Sequence, residues 1–393
     1  MNTVRARVWR FQLQTGGRVR ATVVRRGDLP VGLARLVHVN AMACDLRRVL
    51  DYRTKELEAN LLLSYIDAPG GGTPLQLDHH ALDASSRHIR CFVSECAGLG
   101  MLTAASEAIF AWEEGTDPLH SFDALPKQLP QVYKNKGVRP DLLFQLPAGP
   151  VAGEARGRYR KQALLPKKPL ADQKKRLSQL AAWSTDHADH SYFMSWVYVG
   201  PSGVAVDIFL PESDEWDDDA LVEGWAEEEQ DEGQEHVFDL HEAPRDPEPL
   251  ADIDALGPAE AEGDGGPWTA PMEIARPLLH TGEPVRTPQE HAEEVVTRLY
   301  ESAPEPDAGA TVAGIAVRGR WVAADALGPA RHEVLLGVLA ERPPRQVNVR
   351  ERMARSDGRF DACLDGRLLT VVRPLATPRP EWHELERVLL GDR

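Results

Sequence analysis

A single acidic block divides this 393-residue chain and limits how it can fold. Residues 212–270 hold 22 Asp and Glu against one Arg, a net charge of −21. Such a segment repels itself and has little apolar surface to bury, so it reads as a flexible linker between two folded parts. The part before it, residues 1–211, has 27 Lys and Arg against 20 acids, a net +7. The part after it, 271–393, is nearly neutral at −2. The overall −16 therefore does not argue against an anionic partner for the first part.

Other broad features narrow the class. No run of about 18 apolar residues is present, so no membrane span or membrane partner is expected. The Arg-rich, acid-poor N-terminus has the charge of a transit peptide but alternates like a strand and contains almost no Ser. The four cysteines are Cys44, Cys91, Cys96 and Cys363. They form no CxxC pair, so a zinc finger is not indicated and a reduced cytoplasmic location is expected. Abundant Ala, Arg, Gly and Pro with little Lys suits a high-GC bacterial genome.

The pattern predicts four regions. In 1–45, Val4, Ala6 and Val8 alternate with Arg5 and Arg7, and Val19, Ala21 and Val23 with Arg18 and Arg20, around Thr15-Gly16-Gly17. That is a β-hairpin with one arginine-studded face, suited either to phosphate contact or to plain solvation. In 46–211, helices are expected over 41–66, 84–112 and 170–185. Strands are expected over 138–146, 150–160, 192–199 and 204–210, so from residue 84 the order is helix, strand, strand, helix, strand, strand. Residues 212–270 form the linker. From 271 a small α+β unit is expected. Its helices span 288–300 (with Thr287 as N-cap), 330–341 and 381–390. Its strands span 311–317, 320–323, 360–364 and 367–372, with turns at Arg318-Gly319 and Asp365-Gly366. No catalytic motif occurs there, so this unit is expected to bind a protein partner or to join copies of the chain.

The chemistry concentrates in 138–160. Pro140-Asp141 leads an apolar run, Leu142-Leu143-Phe144; a Pro/Gly turn follows, then Glu154-Ala155-Arg156. Residues two apart on a strand share a face, so Glu154, Arg156, Arg158 and Arg160 line up. A carboxylate set in an apolar strand needs a cation, either a metal or an arginine.

These residues resemble the PD-(D/E)xK nuclease superfamily, with Arg156 standing where the family usually has Lys. The resemblance covers about residues 80–211, and the order of elements agrees with it. It implies an α/β, restriction-endonuclease-like fold, a mixed sheet flanked by helices. It also implies a metal-dependent nuclease acting on DNA in bacterial defence, repair or mobile-element processing. Mg²⁺ or Mn²⁺ would be held by Asp141, Glu154 and the carbonyl of Ala155.

An arginine cannot serve as a general base, but it can bind phosphate and stabilise the transition state. The resemblance allows the missing lysine to come from the next helix, where Lys174 and Lys175 stand. It also implies an acid from the preceding helix, Glu95, with Glu58 and Glu107 as competitors. Arg139, Arg158, Arg160, Lys161 and Lys175 would contact nucleic acid. Two alternatives stay open: a catalytically degenerate relative that binds nucleic acid or a protein, and an assembly or regulatory protein acting through 271–393. His79-His80 and His187-x-x-His190 lack a metal-binding helix pattern and read as loop or helix-end histidines.

The charge partition generates one prediction. A carboxylate-rich segment tethered to a basic unit competes with nucleic acid for it at high effective concentration. Deleting residues 214–264 should tighten DNA binding, most at low salt. Titrations of full-length and deleted protein across a salt series check this, and equal affinities throughout would leave the block as a spacer.

Overall fold

The computed structural model describes residues 2–14, 18–40, 51–67, 74–110, 112, 119–122, 133, 138–162, 165–212, 235–239, 288–305, 310–343 and 358–391. The fold is mixed α/β with two sheets. Among the described residues no helix is long and apolar enough to cross a membrane.

The first sheet has eight strands. They are β1 (Asn2–Gln14), β2 (Arg18–Val31), β3 (Leu119–Ser121), β4 (Leu142–Leu146), β5 (Gly149–Tyr159), β6 (Tyr192–Gly200), β7 (Gly203–Pro211) and β8 (Glu235–Asp239). Their spatial order is β3-β4-β5-β6-β7-β1-β2-β8. β5–β6 and β1–β7 pair in parallel and the other neighbours antiparallel. The expected N-terminal hairpin forms, but it is not a separate region. Its first strand lies along β7 from Arg5↔Ala205 to Phe11↔Pro211. The charge of Asp207 on β7 helps to fix it there. That carboxylate is 1 % exposed and accepts from Arg7 Nε at 2.6 Å, Trp9 Nε1 at 3.0 Å and the Tyr198 hydroxyl at 2.8 Å. A buried charge so fully bonded is costly to strip of any one partner.

Alternation gives the sheet two different faces. Val4, Ala6, Val8, Val151, Ala155, Val197 and Val206 join one core with α4 (Arg87–Phe110). Trp9, Phe11, Ala152, Met194, Trp196, Tyr198 and Phe209 join a second core with α5 (Ala171–Asp186), which contributes Leu177, Leu180 and Trp183. Helices α1 (Leu33–His38), α2 (Tyr52–Ser64) and α3 (His79–Ala84) lie on the α4 side. α1, α3 and β3 were not foreseen; His79 and His80, read as loop or helix-end residues, open α3. The part of the expected 41–66 helix before residue 51 lies outside the described residues.

α4 crosses β5 at a point where side chains would not fit. A Cβ on Gly157 would lie 1.6 Å from the Ser94 carbonyl oxygen, and one on Gly98 would lie 3.1 Å from the Arg156 backbone. These glycines let helix and strand touch backbone to backbone, which brings Glu95, the neighbour of Ser94, to the level of Arg156.

The second sheet comprises β9 (Thr311–Val312), β10 (Ile315–Ala323), β11 (His332–Leu339), β12 (Asp361–Asp365) and β13 (Leu368–Pro374), in the order β12-β13-β11-β10-β9 and antiparallel throughout. α6 (Pro288–Ser302) and α7 (Trp382–Leu390) belong to this part. The Asp365-Gly366 hairpin forms, with Gly366 at φ +57°. Three expectations fail. Residues 330–341 are not a helix: every residue of β11 is buried and it pairs on both edges, and a short apolar run reads the same for a buried strand as for a buried helix. Arg318-Gly319 is no turn, since β10 runs through it; the reversal is at Ala313-Gly314, both at positive φ. The acidic block is not linker throughout, because Glu235–Asp239 pairs with Arg18–Thr22 as an edge strand. The rest of that block, and Thr287, lie outside the described residues.

The second sheet docks on α1 and α2. The Ala34 amide donates to Asp361 Oδ2 at 2.9 Å, His38 Nδ1 meets Thr370 Oγ1 at 3.0 Å, and Tyr52 donates to the Leu336 carbonyl. Glu56 takes both Arg320 Nε and Nη2, at 2.6 and 2.7 Å.

Gly157→Ala should be far more disruptive than an ordinary surface change, because backbone cannot move aside as a side-chain tip does. A loss of about 3 kcal/mol or more in denaturant unfolding is expected, at or above the usual range for overpacking. A loss under ~1 kcal/mol would mean that the helix–strand packing is not tight.

Candidate active site

The site is built where β4 and β5 run side by side. Pro140-Asp141 precedes β4, and the Asp141 amide donates to the Gly153 carbonyl at 3.0 Å, so Asp141 enters the sheet beside Glu154. Asp141 Oδ2 in turn accepts the Ala155 amide at 2.7 Å. Glu154 is 0 % exposed, on the α5 face of β5.

Two guanidiniums meet Glu154. Arg156, two residues along the same strand, places Nη2 2.7 Å from Oε1. Arg176, on α5, donates Nε to the same oxygen at 2.7 Å. Glu154 Oε2 is buried with no hydrogen-bond partner among the described residues. The helix that carries Arg176 is itself fixed: Gln173 is fully buried, bonds Tyr198 at 2.7 Å, and caps the start of α5 at the Leu170 amide.

Burial dominates the ionisation of this cluster. It pushes the Glu154 carboxyl up to about 8, with the Asp141 charge adding to the rise and Arg156 and Arg176 opposing it. It also raises Asp141, against Arg156, the Ala155 amide, Arg176 and Arg139. Arg176 is lowered by the same burial. Each partner of the Glu154–Arg176 pair thus shifts toward its neutral form, opposite to what pairing alone would do, because desolvation outweighs the attraction. The arginine stays charged at any ordinary pH. Glu95 is an exposed residue whose carboxyl is partly shielded; that shielding raises it first, the Asp141 charge adds to the rise, and Arg156 and Arg158 oppose it.

Asp141 and Arg156 therefore lie within electrostatic reach of both Glu154 and Glu95, and the Ala155 amide bonds Asp141. Glu58 and Glu107 are engaged elsewhere, with Lys55 at 2.8 Å and with Arg35. Lys175 is exposed on α5 and Lys174 half-buried. The helix cation at Glu154 is Arg176, which the sequence reading missed. It shares the inward stripe of Gln173, Leu177 and Leu180, so helical periodicity would have singled it out.

Arg139 is exposed, and its carbonyl accepts from Arg176 at 3.4 Å. Arg158 lies over the Trp196 ring at 5.0 Å and Arg160 over Tyr198 at 5.6 Å. Lys161 pairs with Asp83 at 3.4 Å. The histidines take part in packing: His187 and His190 pack around Trp183 and Tyr133, and His79 stacks on Tyr159.

Among the described residues no three His, Cys, Asp or Glu side chains group closely enough to hold a metal ion. The donor set still fits a hard cation in kind. Asp141 and Glu154 are oxygen donors, Glu154 Oε2 lacks a partner among the described residues, and burial holds both carboxyls above their ordinary range although Arg156 and Arg176 oppose it. Magnesium usually keeps several waters and takes only one or two carboxylates. No protein-family model, no curated protein and no solved structure matches this chain.

The raised Glu154 gives a pH signature. Folded protein retains a proton on it that unfolded protein releases near pH 4.5. Stability from this group is therefore full below about pH 4.5 and is lost as pH rises toward about 8, by at most about 1.4 kcal/mol per pH unit. Glu154→Gln should flatten that slope. Denaturant unfolding of both proteins from pH 5 to 8 checks it, and parallel curves would contradict the assignment.

Proposed function

We propose that this chain is a metal-dependent nuclease that hydrolyses phosphodiester bonds in DNA, through a restriction-endonuclease-like unit within residues 80–211. The observation that carries the reading is the pair of acids where β4 begins beside β5. Asp141 and Glu154 sit side by side, both raised by burial, beside arginines suited to phosphate. Asp141, Glu154 and the Ala155 carbonyl would hold Mg²⁺ or Mn²⁺. The ion would supply a polarised water and neutralise charge at the phosphate. Arg156 and Arg176 would turn from Glu154 toward phosphate oxygens and stabilise the charge that grows there. Neither can accept a proton. Glu95, whose carboxyl partial burial raises, would be the group that accepts the proton.

One observation favours a second reading, a nuclease-fold protein that binds nucleic acid without cutting it. Arg156 and Arg176 both bond Glu154 Oε1, so the acid is already compensated by the protein's own cations.

Incubation of supercoiled plasmid and of single-stranded DNA with Mg²⁺ or Mn²⁺ separates the two. Wild type should cleave, and Asp141→Ala and Glu154→Ala should each lose about 100-fold or more while remaining folded. Arg176→Ala should cost more than the Lys174→Ala/Lys175→Ala pair. A wild type that binds DNA but never cuts, with cleavage absent in Arg156→Lys too, would leave the binding reading.

A further inference from the structure

The face of the first sheet that holds Glu154 and Arg156 carries further cations, which the candidate active site does not use. The strand registers align Arg156, Trp196, Asp207, Arg7 and Arg26 across β5, β6, β7, β1 and β2. The next row aligns Arg158, Tyr198, Ala205, Arg5 and Asp28. All lie on the face that carries Trp9 and α5. The loop into α5 crosses this face, held by Arg7 Nη1 donating to the Pro166 carbonyl at 2.8 Å. Lys167 and Lys168, next in the chain, are exposed, as are Arg5 and Arg26. Asp207, the acid within the first row, is already bonded to Arg7; Asp28 is the acid opposite Arg5.

We infer that Arg5, Arg26, Lys167 and Lys168 form a phosphate-binding ridge that continues from the candidate active site and seats duplex DNA. The ridge rests on the nucleic-acid reading above and extends it to the N-terminal hairpin. Charge and span argue for this occupant. From β5 to β2 is four strand spacings, roughly 19 Å at about 4.8 Å each. Duplex DNA advances about 3.4 Å per base pair, so the ridge matches roughly five or six base pairs of backbone. Long flexible cations release condensed counterions when they meet phosphates, and that release drives non-specific binding. The hairpin is firmly placed for this purpose, since Arg7 and Trp9 tie it to Asp207.

The test is DNA binding by the full chain, read without cleavage in EDTA across a salt series. The Arg5→Ala/Arg26→Ala/Lys167→Ala/Lys168→Ala variant should bind a 20-base-pair duplex at least tenfold more weakly at 50 mM salt. Its log K against log salt should be shallower by about 0.9 for each phosphate that the variant no longer neutralises. A control with the same charge change elsewhere, Arg53→Ala/Arg298→Ala/Arg342→Ala/Arg387→Ala, should weaken binding clearly less. DNA should also shield Lys167 and Lys168 of the wild type from acylation, a readout independent of any variant's folding. Wild-type binding with unchanged affinity and slope in the ridge variant, an equal weakening in the control, or unshielded lysines would each overturn the ridge and leave the proposed function standing. A wild type that binds no DNA at low salt would overturn both.

Discussion

The burial of one carboxylate governs the first half of this protein. Glu154 has no contact with solvent, and a lone ionised carboxylate in such a place would be prohibitively costly. Arg156 and Arg176 meet it, one from its own strand and one from α5. The helix must therefore lie where its guanidinium reaches β5. Gln173 holds that helix to Tyr198 and caps its first turn, and Tyr198 in turn donates to Asp207. Asp207 takes Arg7 and Trp9. A line of polar interactions thus runs from the candidate site, through α5 and β7, to the N-terminal hairpin.

The opposite face of the sheet obeys a steric rule. α4 touches β5 through Gly98 and Gly157, with no side chain between them. The α4 face packs aliphatic side chains together with Phe144 and Phe193, while the α5 face carries the arginines of β5 beside Trp9, Trp196 and Tyr198. α1 and α2 form a further layer, because the second sheet docks on them through Asp361, Thr370, Leu336 and Arg320. The C-terminal part is thus joined to the first part by packing and hydrogen bonds as well as by the acidic block.

Much was legible in the sequence, for reasons local to each element. Alternation marked β1 and β2, and turn chemistry marked the Asp365-Gly366 hairpin. The 3.6-residue stripe marked α4 and α5. Asp141, Glu154 and Glu95 were singled out from spacing and resemblance, and the structure places Asp141 within electrostatic reach of each of the other two. Where local pattern is ambiguous the reading failed. β11 is an apolar run of eight, and only its pairing partners on both sides make it a strand.

By itself the sequence determined the charge partition, the faces of the strands and the placement of acids and arginines along β5. Each of these depends on neighbours a few residues away. Only the tertiary structure decided that Arg176 rather than Lys174 or Lys175 meets Glu154, that the hairpin lies beside β7, and that a glycine pair sets α4 against β5. Those outcomes depend on groups many residues apart, and they are set by desolvation and steric fit. Neither force has a partner until the chain is folded.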